Sequence, residues 1–100
     1  MTIVRIVRMH FQPESVPAFL ALFDEVKSHI RNFPGCRELK LMQEDGKPHV
    51  LFTYSIWESN EHLEAYRNSP FFADTWRKTK VLFAEKAQAF SMIEMQHITA

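Results

Sequence analysis

The sequence predicts an α+β fold in which four strands form one antiparallel sheet and helices cover one of its faces. Apolar residues alternate with period two in four segments, and they recur at helical spacing in the segments between. Prolines, glycines and capping serines separate these segments. The 100 residues, 46% hydrophobic and 24% charged, have the balance of one globular domain, 1–100.

The first strand is predicted at residues 3–11, because β-branched and other apolar residues occupy both of its alternating faces. The face that we expect to meet the helices carries Ile3, Arg5, Val7, Met9 and Phe11. The other face carries Val4, Ile6, Arg8 and His10.

The first helix is predicted to follow Pro13, with Ser15 as its N-cap and Pro17 in its first turn. Apolar residues at helical spacing extend it over about 17 residues. Phe33-Pro34-Gly35 ends it, since proline interrupts a helix and Gly35 can take the left-handed backbone.

The second and third strands are predicted at residues 36–44 and 49–57, joined at Asp45-Gly46. This dipeptide is typical of a two-residue hairpin turn in which both residues have positive φ. One face of the third strand is almost wholly apolar, with Val50, Phe52, Tyr54 and Ile56.

Ser59 is expected to cap a short helix that ends near Arg67, and Ser69-Pro70 to begin another that runs to about Ala87. The apolar stripe of the second of these helices is Phe72, Trp76, Thr79 and Phe83. Residues 89–98 alternate again and are predicted to form the fourth strand.

The order β-α-β-β-α-α-β is that of the ferredoxin-like plan, with its second helix broken in two. The sheet face away from the helices has nothing in the chain to cover it. We expect it to carry Val4, Ile6, Val50 or Leu51, and Ile93 or Met95, depending on register. Leaving such side chains in water costs about 1.5–3 kcal/mol each, so the sequence predicts a homodimer packed through these faces. A monomer with scattered exposed apolar residues is the alternative.

Charge and composition argue against several classes of protein. Twelve basic and twelve acidic residues leave no excess to bind a phosphate backbone, so no nucleic-acid partner is expected. One cysteine, Cys36, allows neither an intrachain disulfide nor a cysteine zinc site.

No apolar segment is long enough to span a membrane, and a soluble, cytoplasmic protein is expected. Two glycines provide no phosphate loop, so no nucleotide cofactor is expected.

Residues 56–67, IWESNEHLEAYR, followed by Ser69-Pro70-Phe71-Phe72 and Trp76, resemble the antibiotic biosynthesis monooxygenase (ABM) domain family. The corner Phe33-Pro34-Gly35-Cys36 is also similar to the helix-to-strand turn of that family. The resemblance covers nearly the whole chain and implies a dimeric α+β barrel with a pocket between sheet and helices in each subunit. Members of the family include cofactor-independent oxygenases of phenols and quinols, heme-degrading enzymes, and proteins without proven activity.

The heme-degrading branch uses an asparagine, a tryptophan and an iron-ligating histidine, and the matching positions here are Val7, Tyr66 and Trp76. The ligand and the asparagine are therefore missing, which disfavours heme degradation. Other branches carry histidines at the positions of Tyr66 and Phe71, and the activities of those branches do not transfer either.

The candidate substrate-binding residues are Val7, Met9, Tyr66, Phe72 and Trp76. Tyr66 and Trp76 could stack on a flat ligand and offer an O–H and an N–H, or serve only as core. His10 and Tyr66 are the catalytic candidates. His10 could deprotonate a phenol beside Arg8, although the side chains of His10 and Arg8 are expected on the outer face. The other histidines are scattered without metal-ligand spacing, so no metal is expected.

Together these features predict a cofactor-independent monooxygenase acting on a small aromatic, phenolic or quinol-like substrate. The alternative is a dimeric protein of the same fold that binds a small hydrophobic or aromatic ligand without turnover. A heme-binding protein with altered ligation is a third and weaker hypothesis.

Overall fold

The computed structural model describes residues 1–100. Its elements are β1 (Ile3–His10), α1 (Val16–Arg31), β2 (Cys36–Glu44), β3 (Lys47–Trp57), α2 (Asn60–Arg67), α3 (Pro70–Lys80) and β4 (Gln88–Met92). The strands form one sheet in the order β2-β3-β1-β4, and every neighbouring pair is antiparallel. The predicted α+β, ferredoxin-like fold is confirmed. No helix is long and apolar enough to cross a membrane.

The third helix is shorter than predicted, because α3 ends at Lys80 and not near Ala87. Phe83 continues the helical spacing of the sequence, but it instead forms an isolated bridge with Phe11, and their rings lie 5.2 Å apart. The Ala84 N–H donates to the His10 carbonyl at 2.8 Å. These contacts hold residues 83–84 in extended pairing with the end of β1, and this pairing replaces the predicted continuation of the helix.

The fourth strand is also shorter than predicted, because β4 ends at Met92. It pairs with β1 in a register that places Met92 opposite Val4, so the next pair would already lie at the first residue of β1. Ile93 and Met95 therefore lie beyond the strand and are exposed, and their expected place on the open face is taken by Phe90 and Met92.

The turns and caps follow the predicted chemistry with two corrections. Gly46 has a φ of +79°, but Asp45 does not have positive φ, and a register shift near Glu44 absorbs the difference. Ser15 precedes α1 without a side-chain capping bond, since the chain enters the helix through a 3-10 turn. Ser59 and Ser69 accept from the backbone N–H groups of His62 and Phe72, as predicted for N-caps.

The turn between α1 and β2 requires glycine at position 35 for two reasons. Its φ of +87° lies in the left-handed region, which side chains rarely adopt. A Cβ at this position would also overlap the imidazole ring of His62 on α2. The corner that carries part of the family resemblance therefore fixes how closely α2 approaches β2.

The core lies between the helices and one face of the sheet, which we call the inner face. Its larger cluster consists of Met9, Phe11, Phe19, Phe23, Ile30 and Leu51. A smaller cluster at the other end of the sheet consists of Ile3, Cys36, Trp57 and Leu63. Only 13 of the 100 residues are buried, so the single chain has a modest core.

The opposite face of the sheet, which we call the outer face, has no helix over it. Cross-strand register places these mostly apolar residues on it: Val4, Ile6, Met42, Val50, Phe52, Tyr54, Ile56, Phe90 and Met92. Phe90 is 50% exposed and Met92 43% exposed. Its charged residues are Arg8, Glu38 and Lys40, and the last two form an ion pair at 3.2 Å.

Candidate functional site

A cavity of about 260 Å³ lies between the inner face of the sheet and the helices. Strands β1 and β3 form its floor with Val7, Met9 and Thr53, while α1 contributes Phe19 and Phe23. Its remaining lining comes chiefly from α2 and α3, and most of it is apolar. A concave, largely apolar space with a few polar groups is the usual form of a small-molecule site.

Four aromatic side chains along one side of this cavity form what we call the aromatic wall: Trp57, Tyr66, Phe72 and Trp76. Trp57 and Tyr66 stack with centroids 4.8 Å apart and planes 24° apart. Tyr66 meets Phe72 edge to face at 5.1 Å, and Phe72 lies nearly parallel to Trp76 at 5.9 Å. The wall therefore presents aromatic surface to any flat ligand in the cavity.

Tyr66 is the one phenol of the cavity. Burial, together with a smaller effect of the nearby Cys36, raises its pKa to about 12. The chain provides no hydrogen-bond partner for its hydroxyl, whereas every fully buried side-chain polar atom has one. The hydroxyl is therefore open to the cavity, protonated at neutral pH, and able to donate a hydrogen bond to a ligand.

Two further polar groups of the cavity are already used by the protein. The Trp57 indole N–H donates to the Ser55 hydroxyl at 2.9 Å, and both residues are buried. The Thr79 hydroxyl donates to the Thr75 carbonyl at 2.7 Å. These bonds hold Trp57 and Thr79 in place, whereas the Tyr66 hydroxyl and the Trp76 indole N–H have no partner in the chain.

The five predicted substrate-binding residues, Val7, Met9, Tyr66, Phe72 and Trp76, all line the cavity. They come from β1, α2 and α3, so the fold brings together residues that are up to 69 positions apart in the chain. Their role in binding a substrate stays a prediction.

His10 lies elsewhere. Its register places it on the outer-face side of β1, opposite Val50, and it does not line the cavity. Its ring bonds Glu85 at 2.9 Å and lies 5.0 Å from the ring of His49. We therefore leave His10 out of the proposed site, because a base on this side of the sheet cannot reach a ligand in the cavity.

Sequence reasoning missed most of the other lining residues, and among these Arg5, Trp57 and Arg67 carry polar groups that matter to the site. The alternation of β1 already places Arg5 on the same face as Val7 and Met9, so a cation on a helix-covered face was a usable signal. Trp57 could have been found from its place on the inner alternation of β3. No sequence pattern pointed to Arg67, whose position depends on how α2 sits on the sheet.

Metal ligands are not clustered in this protein: no group of three or more His, Cys, Asp or Glu side chains could hold an ion. No histidine lines the cavity, so the iron ligand of the heme-degrading branch has no counterpart there. Cys36 is buried, and burial raises the pKa of its thiol, which makes it a packed residue and not a nucleophile.

Comparisons with known proteins agree with this fold. The family described as antibiotic biosynthesis monooxygenase matches residues 2–78. The structure of Rv0793 from Mycobacterium tuberculosis has a TM-score of 0.88 at 19% identity, covering 99% of this chain and 100% of its own. SnoaB, a cofactor-independent oxygenase from Streptomyces nogalater, was solved as a variant and has a TM-score of 0.85 at 14% identity, covering 99% and 98%. A conserved protein from Methanosarcina mazei has a TM-score of 0.88 at 17% identity, covering 92% and 91%. No curated protein matches the sequence.

Proposed function

This chain belongs to the antibiotic biosynthesis monooxygenase family, and we propose that it is a cofactor-independent monooxygenase of a small aromatic, phenolic or quinol-like substrate. The observation that carries the proposal is the cavity of about 260 Å³ lined by the aromatic wall. SnoaB, a cofactor-independent oxygenase of the same fold, supports the type of reaction.

The size and lining of the cavity support the substrate class. Pockets for drug-sized ligands run from about 300 to 1,000 Å³, so this one suits a compact aromatic of few rings. Offset or edge-to-face contacts between aromatic rings contribute about 0.5–1.5 kcal/mol each beyond the burial of apolar area. Phe72 and Trp76 would contact the face of the substrate, Val7 and Met9 its edge, and Tyr66 would donate a hydrogen bond to a substrate oxygen.

The proposed reaction needs no prosthetic group. The substrate first loses one proton of an activated ring CH₂ to water, which gives a phenolate with a single hydrogen on that carbon. This anion transfers one electron to O₂, the resulting radical and superoxide combine at that carbon, and the peroxide takes up a proton from water. The hydroperoxide then loses water as the C–H and O–O bonds break, and the carbon becomes a carbonyl. One oxygen atom enters the product, and the other leaves as water with the two hydrogens of the CH₂. The apolar cavity would exclude bulk water during these steps.

A second function is favoured by one observation. No Asp, Glu, His, Lys or Cys lines the cavity, so no side chain there is an evident general base. This favours the alternative of a protein that binds a small aromatic ligand and does not turn it over.

Oxygen uptake separates these two functions. We expect the protein to accelerate O₂ consumption and carbonyl formation with dithranol, or O₂ consumption with a hydroquinone, above the rate without protein. Tyr66→Phe should lower kcat about tenfold if the hydroxyl contacts the reacting substrate. Trp76→Phe, which keeps an aromatic ring, should mainly raise KM. Binding of dithranol without any added O₂ uptake would reject the monooxygenase and support the binding protein.

The partner that we propose for the outer face is a second copy of the chain. Phe90, Met92 and Met42 are each more than two-fifths exposed, and they flank the half-buried Ile6 and Phe52. Sheet-on-sheet packing would cover this surface in a two-fold dimer, the arrangement that the family resemblance implies. The cavity lies on the inner face, so each copy would keep its own site.

We also propose that residues 1–100 form a single ABM-like domain. The pairing of β4 with β1 supports this, because it joins the last strand to the first within one sheet. The cytoplasmic location expected from the sequence stays a prediction.

A further inference from the structure

One charged side chain reaches the cavity from its floor. Arg5 lies in the middle of the central strand β1, on the inner face beside Val7, and it lines the cavity. Its guanidinium donates to the Ser91 hydroxyl at 2.8 Å. It forms no ion pair with any carboxylate of the chain. A guanidinium carries five N–H donors and stays charged, so one hydroxyl leaves most of its capacity unused.

The surroundings of Arg5 do not neutralise its charge. Burial lowers the pKa of the Arg5 guanidinium, the Arg67 charge lowers it further, and Glu64 opposes both. Arg67 also lines the cavity, but it is paired with Glu64 at 2.9 Å. Two cations and one carboxylate leave one positive charge at a largely apolar site. Arg5 is only partly buried, so water still reaches this charge, and a ligand anion would find an unpaired guanidinium there.

The rest of the lining contains no group that could take a proton at neutral pH. The polar neutral residues of the cavity are Thr53, Ser55, Tyr66, Thr75 and Thr79, beside the two tryptophan indoles. Tyr66 has a pKa of about 12 and stays protonated. The cavity therefore offers a hydrogen-bond donor and a cation, but no proton acceptor.

We infer that the cavity binds its ligand as an anion, an ionised oxygen on a small aromatic ring system, with the Arg5 guanidinium as its counter-ion. This rests on the proposed function and names its substrate class. Arg67 adds a second, weaker attraction because Glu64 already pairs with it. For a phenol, the O–H bond breaks on binding and the proton passes to solvent water, so no side-chain base is needed. The guanidinium then holds the phenolate against the aromatic wall.

The test uses 2-naphthoate and 2-naphthamide, which have nearly the same shape and differ in charge. Binding is followed by quenching of tryptophan fluorescence and by calorimetry at low and at high salt. We expect naphthoate to bind at least tenfold more tightly than naphthamide at low salt, with a smaller ratio at high salt. Equal affinity of the two would overturn the inference, and this comparison needs no variant.

Variants then locate the charge. Arg5→Met should lose at least tenfold in naphthoate affinity and leave naphthamide binding unchanged, while Arg5→Lys should recover part of the loss. Arg8→Met is the matched control, since it removes the same side chain from the outer face of the same strand. Arg67→Met should lose about threefold. An Arg8→Met loss as large as that of Arg5→Met would overturn the assignment.

A chromogenic phenol separates carboxylate from phenolate binding. If 4-nitrophenol binds as the phenolate, its absorbance should show a lowered apparent pKa with wild type and not with Arg5→Met. A site selective for carboxylates would bind naphthoate and leave this pKa unchanged, which would overturn the phenol step. The outcome is independent of O₂ uptake. Selective anion binding without O₂ consumption rejects the monooxygenase alone, and O₂ consumption without anion preference rejects the Arg5 inference alone.

Discussion

The two faces of one sheet use the same four strands in different ways. The inner face is covered by three helices, and its polar side chains either have partners within the chain, as Trp57 has in Ser55, or open into a cavity. The outer face has no helix over it. Val50 at its end is buried, contrary to the expectation from sequence, but Phe90 is half exposed. Successive residues of a strand point to opposite faces, so each strand supplies both surfaces. The inner face thus suits a small ligand, whereas the outer face suits another protein surface.

The two tyrosines of the chain show the same difference. Tyr66 on α2 is stacked on Trp57 at the inner face, and burial raises its pKa to about 12. Tyr54 on β3 lies on the outer face, with the Lys40 ammonium 5.3 Å from its ring centroid. The two tyrosines therefore lie in different environments, one buried at the inner face and one beside a cation on the outer face.

The largest expected difference between the faces is in stability. Phe11 is fully buried against Phe19 and Phe83, with ring centroids 4.5 and 5.2 Å away. Phe11→Ala should lower the free energy of unfolding by about 3–5 kcal/mol, the usual cost of a large cavity in a core. Phe90→Ala should cost less than about 1 kcal/mol in the single chain. Urea unfolding at dilute protein checks this, and equal losses would contradict the assignment of the two faces.

The next effect concerns assembly. Phe52→Glu places a carboxylate near the centre of the outer face and should raise the dimer dissociation constant at least hundredfold, about 2.7 kcal/mol. Sedimentation velocity should show the wild type at twice the 11.8 kDa of one chain and this variant at that mass. Leu20→Glu is the control, because Leu20 is an exposed apolar residue on α1. A wild-type protein that sediments with the mass of one chain at micromolar concentration would contradict the proposed dimer.

Alkaline pH should affect the inner face through Tyr66. Its folded pKa of about 12 lies above the ordinary tyrosine value of 10.0, so the folded state holds its proton more tightly. This stability is fully present below pH 10 and is lost as pH rises through 12, a change of about 2–3 kcal/mol. Tyr66→Phe should flatten this decline in unfolding free energy, and Tyr54→Phe is the matched control. Equal slopes for both variants would contradict the buried phenol.

The smallest effect distinguishes two hydroxyls in one row of the inner face. Ser55 is buried and accepts the Trp57 indole N–H, while Ser91 lies at the exposed edge beside Arg5. Ser55→Ala leaves a buried donor without a partner and should cost about 1–2 kcal/mol. Ser91→Ala should change stability by less than about 0.5 kcal/mol. Thermal unfolding of the two variants checks this. A larger loss of stability for Ser91→Ala than for Ser55→Ala would contradict the assignment of Ser55 as buried and Ser91 as exposed.

Much of the fold could be predicted from local pattern. Alternation placed Val7 and Met9 on the helix-covered face, and the two serine caps began α2 and α3 where they were expected. The end of α3 could not be found this way. Phe83 keeps the helical spacing of the sequence, but its contact with Phe11 across the chain decides its conformation. The end of β4 depends likewise on where its partner β1 begins.

The candidate site was predicted only in part. Five lining residues were found because they are apolar or aromatic and lie on inward-facing positions. Arg5 was placed on the right face but not assigned to the site, and Arg67 gave no signal, because their relation is set by the packing of α2 on the sheet. His10 looked chemically suitable, but it lies on the other side of the sheet.

The sequence by itself determined the order of elements, the two faces of each strand and the family, because side-chain period, caps and motif are properties of neighbouring residues. Only the tertiary structure decided that a cavity exists and which charged groups reach it. Arg5 and Ser91 are 86 positions apart and meet only because β4 pairs with β1. Contacts of that kind depend on how whole elements pack, and no local pattern encodes them.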